Sequence, residues 1–277
     1  MGFRINTNIS SLSAQRSLSK SNRETENTLA KMSSGTRITK AADDAAGLAI
    51  SEKLKARIKS NSQANRNAND GISMVQTAEG GLDEVSNILT RLRELSIQAS
   101  SDTVGNTERS FTDMEYQNLK QEVERIAQVT EFNGIKLLSG EGGLLDFQIG
   151  VNNNDFQDRI SYDTSLQNAK LESLGISDIG VSSKEGAQSS LSIIDDAIEK
   201  VSGQRASLGA IQNRLISTSN NLEISNENLN AANSRIRDVD YAKAAADNAR
   251  NNIINAAGTS VLAQANAQGQ NALSLLG

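Results

Sequence analysis

The sequence contains no histidine, no cysteine, no proline and no tryptophan, and aromatic residues make up only 3% of its 277 positions. Without histidine and cysteine the chain lacks the usual zinc and haem ligands, the thiol nucleophile and the side chain that titrates nearest neutral pH. Most catalytic mechanisms lose their key residue here, and a protein that is no enzyme and needs no cofactor is expected. Carboxylate pairs remain at Asp43, Asp44 and at Asp195, Asp196. Both precede or open apolar-periodic stretches, where acidic groups favour a helix N-terminus, so acid/base work is the weaker reading of them. The missing cysteines also leave no disulfide evidence for compartment.

The absence of proline removes the strongest helix breaker, so long uninterrupted helices become the default. Hydrophobic content of 37% with so few aromatics supplies little of the bulk that fills a compact single core. No stretch approaches the ~20 apolar residues of a membrane span, and residues 1–6 show neither an apolar run nor a cleavage pattern of the signal-peptide kind. Membrane insertion and Sec export are therefore not expected. Charge is uneven: residues 1–40 carry +5, residues 41–240 carry −11 and the remainder +1, within a net −5. The N-terminal bases are spaced around a helix and lack interleaved aromatics, which argues against nucleic acid.

Residues 5–32 show a thin, broken apolar stripe through Ile5, Ile9, Leu12, Leu29 and Met32. Ser33-Ser34-Gly35 reads as a helix stop, and Asp43-Asp44 supplies acidic groups for a new helix start, giving a first boundary near residue 43. From 45 to about 100 the apolar positions Ile72, Val75, Ala78, Leu82, Val85, Leu89 and Leu92 step by three and four, a coiled-coil-like seam crossed by Gly80-Gly81, where a kink or a close helix contact is expected. A shorter helix is predicted over 111–129. Residues 144–150 and 159–164 read as strands flanking Asn152-Asn153-Asn154-Asp155, a hairpin and the only β structure expected. The turn itself reads as an open surface position tolerant of insertion. The clearest periodicity follows in the C-terminal third, from Leu191 through Leu208, Leu215 and Leu229 to Val239.

The fold predicted is mainly α: a long antiparallel coiled-coil-like helical rod with one small β-hairpin region at about 140–186 and with the N- and C-termini paired. Residues 1–42 and 238–277 form the paired terminal helices, and 43–237 the rod. Neither terminal segment has an apolar face wide enough to stabilise itself. Both are expected to be disordered in the monomer and to become helical against neighbouring copies. A second, mixed stripe on the first long helix, Ile88, Arg91, Leu95 and Gln98, is expected to lie partly uncovered and to contact an adjacent copy. The apolar tail carrying Leu273, Leu275 and Leu276 is the expected polymerisation tail.

Several strings carry a family resemblance. The first half contains Ile5-Asn6-Thr7-Asn8, Ser33-Ser34-Gly35-Thr36-Arg37-Ile38, Asp43-Asp44-Ala45-Ala46-Gly47-Leu48-Ala49-Ile50, and Asn67-Ala68-Asn69-Asp70-Gly71-Ile72-Ser73 running on to Gln76-Thr77-Ala78-Glu79-Gly80. The second half adds Gln212-Asn213-Arg214-Leu215, Ser234-Arg235-Ile236, Asp240-Tyr241-Ala242, Val261-Leu262-Ala263-Gln264-Ala265-Asn266 and Leu273-Ser274-Leu275-Leu276. In this order the strings resemble bacterial flagellin over residues 1–140 and 187–277, with departures at Gly81, Thr90 and Gly277. The resemblance implies a minimal flagellin without outer variable domains. Such a protein is secreted by the flagellar apparatus and polymerises under the cap protein into the helical filament of motility. Export chaperone, cap and junction proteins are its implied partners. A hook-filament junction protein of the same secretion system is the alternative, and an inserted metallopeptidase fails for want of histidine. The resemblance also implies that Arg91 and Leu95, together with Glu122, belong to a surface contacted by the vertebrate Toll-like receptor for flagellin. Any glycans are expected within the serine- and threonine-rich stretch 139–190.

Overall fold

A computed structural model describes residues 7–274, with side chains through residue 267. The secondary structure is mainly α: helices α1 (Ile9–Ser34), α2 (Ala45–Ser100), α3 (Asn106–Val129), α6 (Lys184–Arg237) and α7 (Tyr241–Ser274) carry most of the chain. Between α3 and α6 lie strands β1 (Glu131–Phe132), β2 (Ile135–Lys136), β3 (Leu144–Gln148) and β4 (Arg159–Asp163), with the single-turn helices α4 (Asp155–Asp158) and α5 (Leu171–Leu174). No described helix is long and apolar enough to cross a membrane. The chain divides into a terminal unit, residues 1–56 with 228–277, and a central unit, residues 57–227.

Helix boundaries in the terminal unit follow local chemistry. The Asn8 side chain accepts the Ser11 amide at 3.1 Å and starts α1. Gly35 ends it at φ 67°, a left-handed cap that a Cβ would disfavour. Asp44 accepts the Gly47 amide at 2.8 Å and starts α2. Helix α7 runs antiparallel to α1: Asn8 donates to the Ala265 carbonyl at 2.8 Å, and Asn255 donates to Thr25 Oγ1 at 3.1 Å. The segment after α1 is tied to the end of α6, with Arg37 N–H donating to the Arg237 carbonyl at 2.6 Å and Val239 N–H to the Gly35 carbonyl at 3.1 Å.

In the central unit α2 and α6 run antiparallel in one unbroken register. Ser96 faces Ser190 at 3.0 Å, Arg93 meets Asp195 at 2.6 Å, Asp83 meets Arg205 at 2.9 Å, and Asn61 reaches Ser225 at 3.2 Å. The predicted seam is the core: Val75, Leu82, Val85, Leu89 and Leu92 are fully covered, opposite Ile194, Val201, Leu208 and Leu215. Helix α3 doubles back along α2, fixed by buried Arg109, whose guanidinium donates to the Ala99 and Ser101 carbonyls at 2.8 Å each. Burial keeps the core phenols neutral, pushing the Tyr116 hydroxyl up to about 12 and Tyr162 up as well.

Four sequence expectations meet specific outcomes. Gly80-Gly81 does not break α2. A Cβ on Gly81 would lie 2.7 Å from Leu138 Cδ1 and 2.8 Å from Thr130 Oγ1, so that glycine permits a close approach. The predicted hairpin forms as β3 against β4, in a register pairing Leu144 with Asp163 and Gln148 with Arg159. It is not the only β structure: β1 and β2 form a two-residue hairpin around Asn133 (φ 50°) and Gly134 (φ 78°), the Asn-Gly signature whose backbone twist suits paired strands. Finally, 152–155 is not an open turn. The buried Asp158 carboxylate accepts the Asn152 and Asn154 amides at 3.2 and 3.1 Å, so added residues would break a braced loop.

Candidate assembly surface

The terminal unit has helices but almost no core. Its buried hydrophobic side chains, among the described residues, are Ile38, Ala244 and Ala265, and two of these are alanines. The α1–α7 pair is joined instead by small and polar side chains. Gly258 sits against Leu18, whose Cδ1 lies 3.2 Å from where a Cβ would stand. The larger apolar residues point outward: Ile9, Leu12 and Leu29 on α1 and Ile253, Ile254 and Val261 on α7 are exposed, Ile9 by 57% and Ile253 by 70%. A monomer holding this many branched side chains in water on two adjacent helices presents a contiguous sticky face. Of the expected polymerisation tail, Leu275 and Leu276 lie outside the described residues, and Leu273 is described only as backbone at the end of α7.

The stripe on α2 is altered by α3. Leu95 is 2% exposed and belongs to the central core, and Ile88 is half-buried against it. The expectation that both are left uncovered is therefore corrected: α3 folds back over this side of α2 and closes it. Arg91 stays at the surface, where its guanidinium meets Glu115 on α3 and Glu94 one turn away, each at 2.9 Å. Hydrogen bonds to Glu94 and Glu115 hold the guanidinium charge above its ordinary range. Gln98 is exposed. Glu122 does not join them. It pairs with Arg125 at 2.8 Å, about two turns farther along α3, and that hydrogen bond lowers its carboxyl pKa.

The opposite use of charge was not legible in the sequence. Lys120, spaced like a solvated α3 residue, is buried and donates to the Ser177 and Ile179 carbonyls at 2.7 and 2.8 Å. Asp113 accepts the Val181 amide at 2.8 Å and Glu124 the Leu171 amide at 3.0 Å. These three side chains hold the irregular segment before α6 on the central unit, leaving α3's outer face with Glu108, Phe111, Met114 and Glu115.

Residues 5–142 match the bacterial flagellin N-terminal helical region, and residues 191–276 match the bacterial flagellin C-terminal helical region. Over 274 residues the chain is 44% identical to a flagellin of Halalkalibacterium halodurans, across 98% of this chain and 99% of that protein. The chain belongs to the bacterial flagellins. It is also 40% identical to a flagellar filament 33 kDa core protein of Treponema phagedenis, across 98% of this chain and 99% of the relative. A crystal structure of Bacillus cereus flagellin superposes with a TM-score of 0.51 at 30% identity, covering 57% of this chain and 88% of that one. Flagellins are structural proteins, and this flagellin is a subunit of the bacterial flagellar filament, the extracellular organelle of swimming motility. Full-length likeness to filament proteins favours this role over the junction protein. The exposed faces of α1 and α7 are thus surfaces of a protein that polymerises with its own kind.

Proposed function

We propose that this flagellin polymerises chiefly through the outward apolar faces of α1 and α7. In this reading residues 1–42 and 238–277 form the inner core of the filament, and residues 43–237 form the layer around it. The observation that carries the reading is the contrast between a terminal unit with three buried hydrophobic side chains and a central unit with a continuous core. Helices gain little stability from propensity alone, so the terminal pair acquires its order from neighbouring subunits. The protein acts by assembly, without catalysis. It travels through the flagellar secretion apparatus with an export chaperone and adds at the growing end beneath the cap, beyond the junction proteins. Limited proteolysis of monomer is expected to trim both ends back to roughly the central unit, while filaments grown on seeds resist. Intact termini in digested monomer would overturn the reading.

The same reading gives Arg91 and its neighbours Gln98 and Glu122 a second role, as a surface read by the vertebrate Toll-like receptor for flagellin. Ile88 and Leu95 support it from beneath. Monomer is expected to bind the receptor and filament not to. Arg91→Ala is expected to weaken binding by about tenfold, the loss of one charged anchor, with far-UV circular dichroism unchanged. Equal binding by the variant and the parent protein would remove Arg91 from the contact.

A further inference from the structure

Phe156 is the most exposed large apolar side chain among the described residues, at 93%. A lone exposed apolar residue is ordinary, but this ring is held out by a rigid support. The Asn154 side chain accepts the Phe156 and Gln157 amides at 3.1 and 3.2 Å. The Asp158 carbonyl accepts the Ile149 and Gly150 amides at 2.8 and 3.0 Å, and Arg159 bonds both Asp155 and Asn153. Directly beside the ring's loop lies an open groove of about 410 Å³ whose lining includes Arg57, Asn61, Asn152, Gln157 and Asn221. Arg57 and Lys59 give this end of the central unit exposed positive charge.

A matching surface lies elsewhere on the same unit. On α3 the spacing of Glu108, Phe111, Met114 and Glu115 puts two exposed apolar side chains between two exposed carboxylates on one helix face. The pairing of Arg91 with Glu115 and of Arg109 with the Ala99 carbonyl sets this face beside α2 residues 91–99. The groove next to Phe156 is set at α2 residues 57–61. At ~1.5 Å per residue, the two sites are roughly 50 Å apart along α2 and cannot meet within one chain.

We infer that Phe156 of one copy docks on the Phe111 and Met114 face of a second copy, with Arg57 opposite Glu108 and Glu115. The contact is heterologous. Knob and receiving face lie at opposite ends of the same unit, so the contact repeats head to tail without closing, as an open polymer requires. Aromatic anchors with charged rims of opposite sign are the arrangement that carries binding energy and fixes register. The inference rests on the polymerisation reading above and adds the axial neighbour's contact to it.

The test is seeded elongation. Phe156→Ala and Phe111→Ala are each expected to raise the critical concentration roughly tenfold or more. The double variant should be little worse than either single one, and monomer circular dichroism and melting should be unchanged because both side chains are exposed. Since the chain has no cysteine, a protein carrying Phe156→Cys and Phe111→Cys can be treated with a short bis-maleimide. A ladder of covalent oligomers is expected from filaments and none from dilute monomer. Unchanged critical concentrations, losses that multiply in the double variant, or filaments that give no ladder would each overturn the contact. Failure of the parent protein to grow on seeds would instead count against polymerisation itself.

Discussion

Deleting residues 241–277, or residues 1–34, is expected to abolish filament growth while leaving the central unit folded. The central unit owns its core: Leu82, Leu89 and Leu92 on α2 pack with Ile194, Val201 and Leu208 on α6, and α1 and α7 contribute none of the cluster. Loss of either terminal helix therefore leaves these contacts in place. It removes Ile253, Ile254 and Val261, or else Ile9, Leu12 and Leu29, from the assembling face. At about 1.5–3 kcal/mol for each large apolar side chain fully buried, three such residues contribute roughly 5 kcal/mol per added subunit. That corresponds to a critical concentration higher by more than about a thousandfold. Circular dichroism melting of the truncated proteins should retain one cooperative transition, and sedimentation after seeding should find all protein soluble. Filaments at the parental critical concentration would show that the terminal helices are not the driving surface. Loss of the cooperative transition would show that the central unit depends on them.

Leu89→Ala is expected to have the opposite profile, a large loss of monomer stability. Leu89 is fully covered on the seam of α2, within the core shared by α2, α3 and α6. Truncating a buried leucine costs about 2–5 kcal/mol, the lost transfer energy together with the cavity left behind. For a unit of this size each kcal/mol lowers the melting temperature by roughly 2–4 °C, so a fall of about 6–15 °C is anticipated. Thermal and urea unfolding of the variant monomer measure this directly. A change below about 1 kcal/mol would mean that the core around Leu89 is looser than its complete burial implies.

How far the sequence reached can be followed residue by residue. Ser33-Ser34-Gly35 and Asp43-Asp44 marked real helix ends, because caps are local: Gly35 ends α1 in a left-handed conformation and Asp44 accepts an amide three residues on. Val85, Leu89 and Leu92 were placed correctly on the seam, because spacing by three and four fixes which residues share a helix face. The Asn133-Gly134 hairpin was legible in principle and was missed, since two-residue strands leave no alternation to detect.

Leu95 and Lys120 were misread for a different reason. Each sits on a helix face whose exposure depends on what returns to cover it. Leu95 looked half-free until α3 folded back across α2, and Lys120 looked solvated until the carbonyls of Ser177 and Ile179 arrived above it. Phe156 shows the converse, an aromatic in a turn that the sequence gave no reason to place outside and that the Asn154 and Asp158 hydrogen bonds hold in water. By itself the sequence determined the helices, their ends, the seam, the coreless termini and the flagellin family. These follow from local spacing, capping chemistry and composition. Only the tertiary structure decided which side chains are covered, which charges are buried and which rings are presented, because those depend on backbone groups brought together from distant parts of the chain.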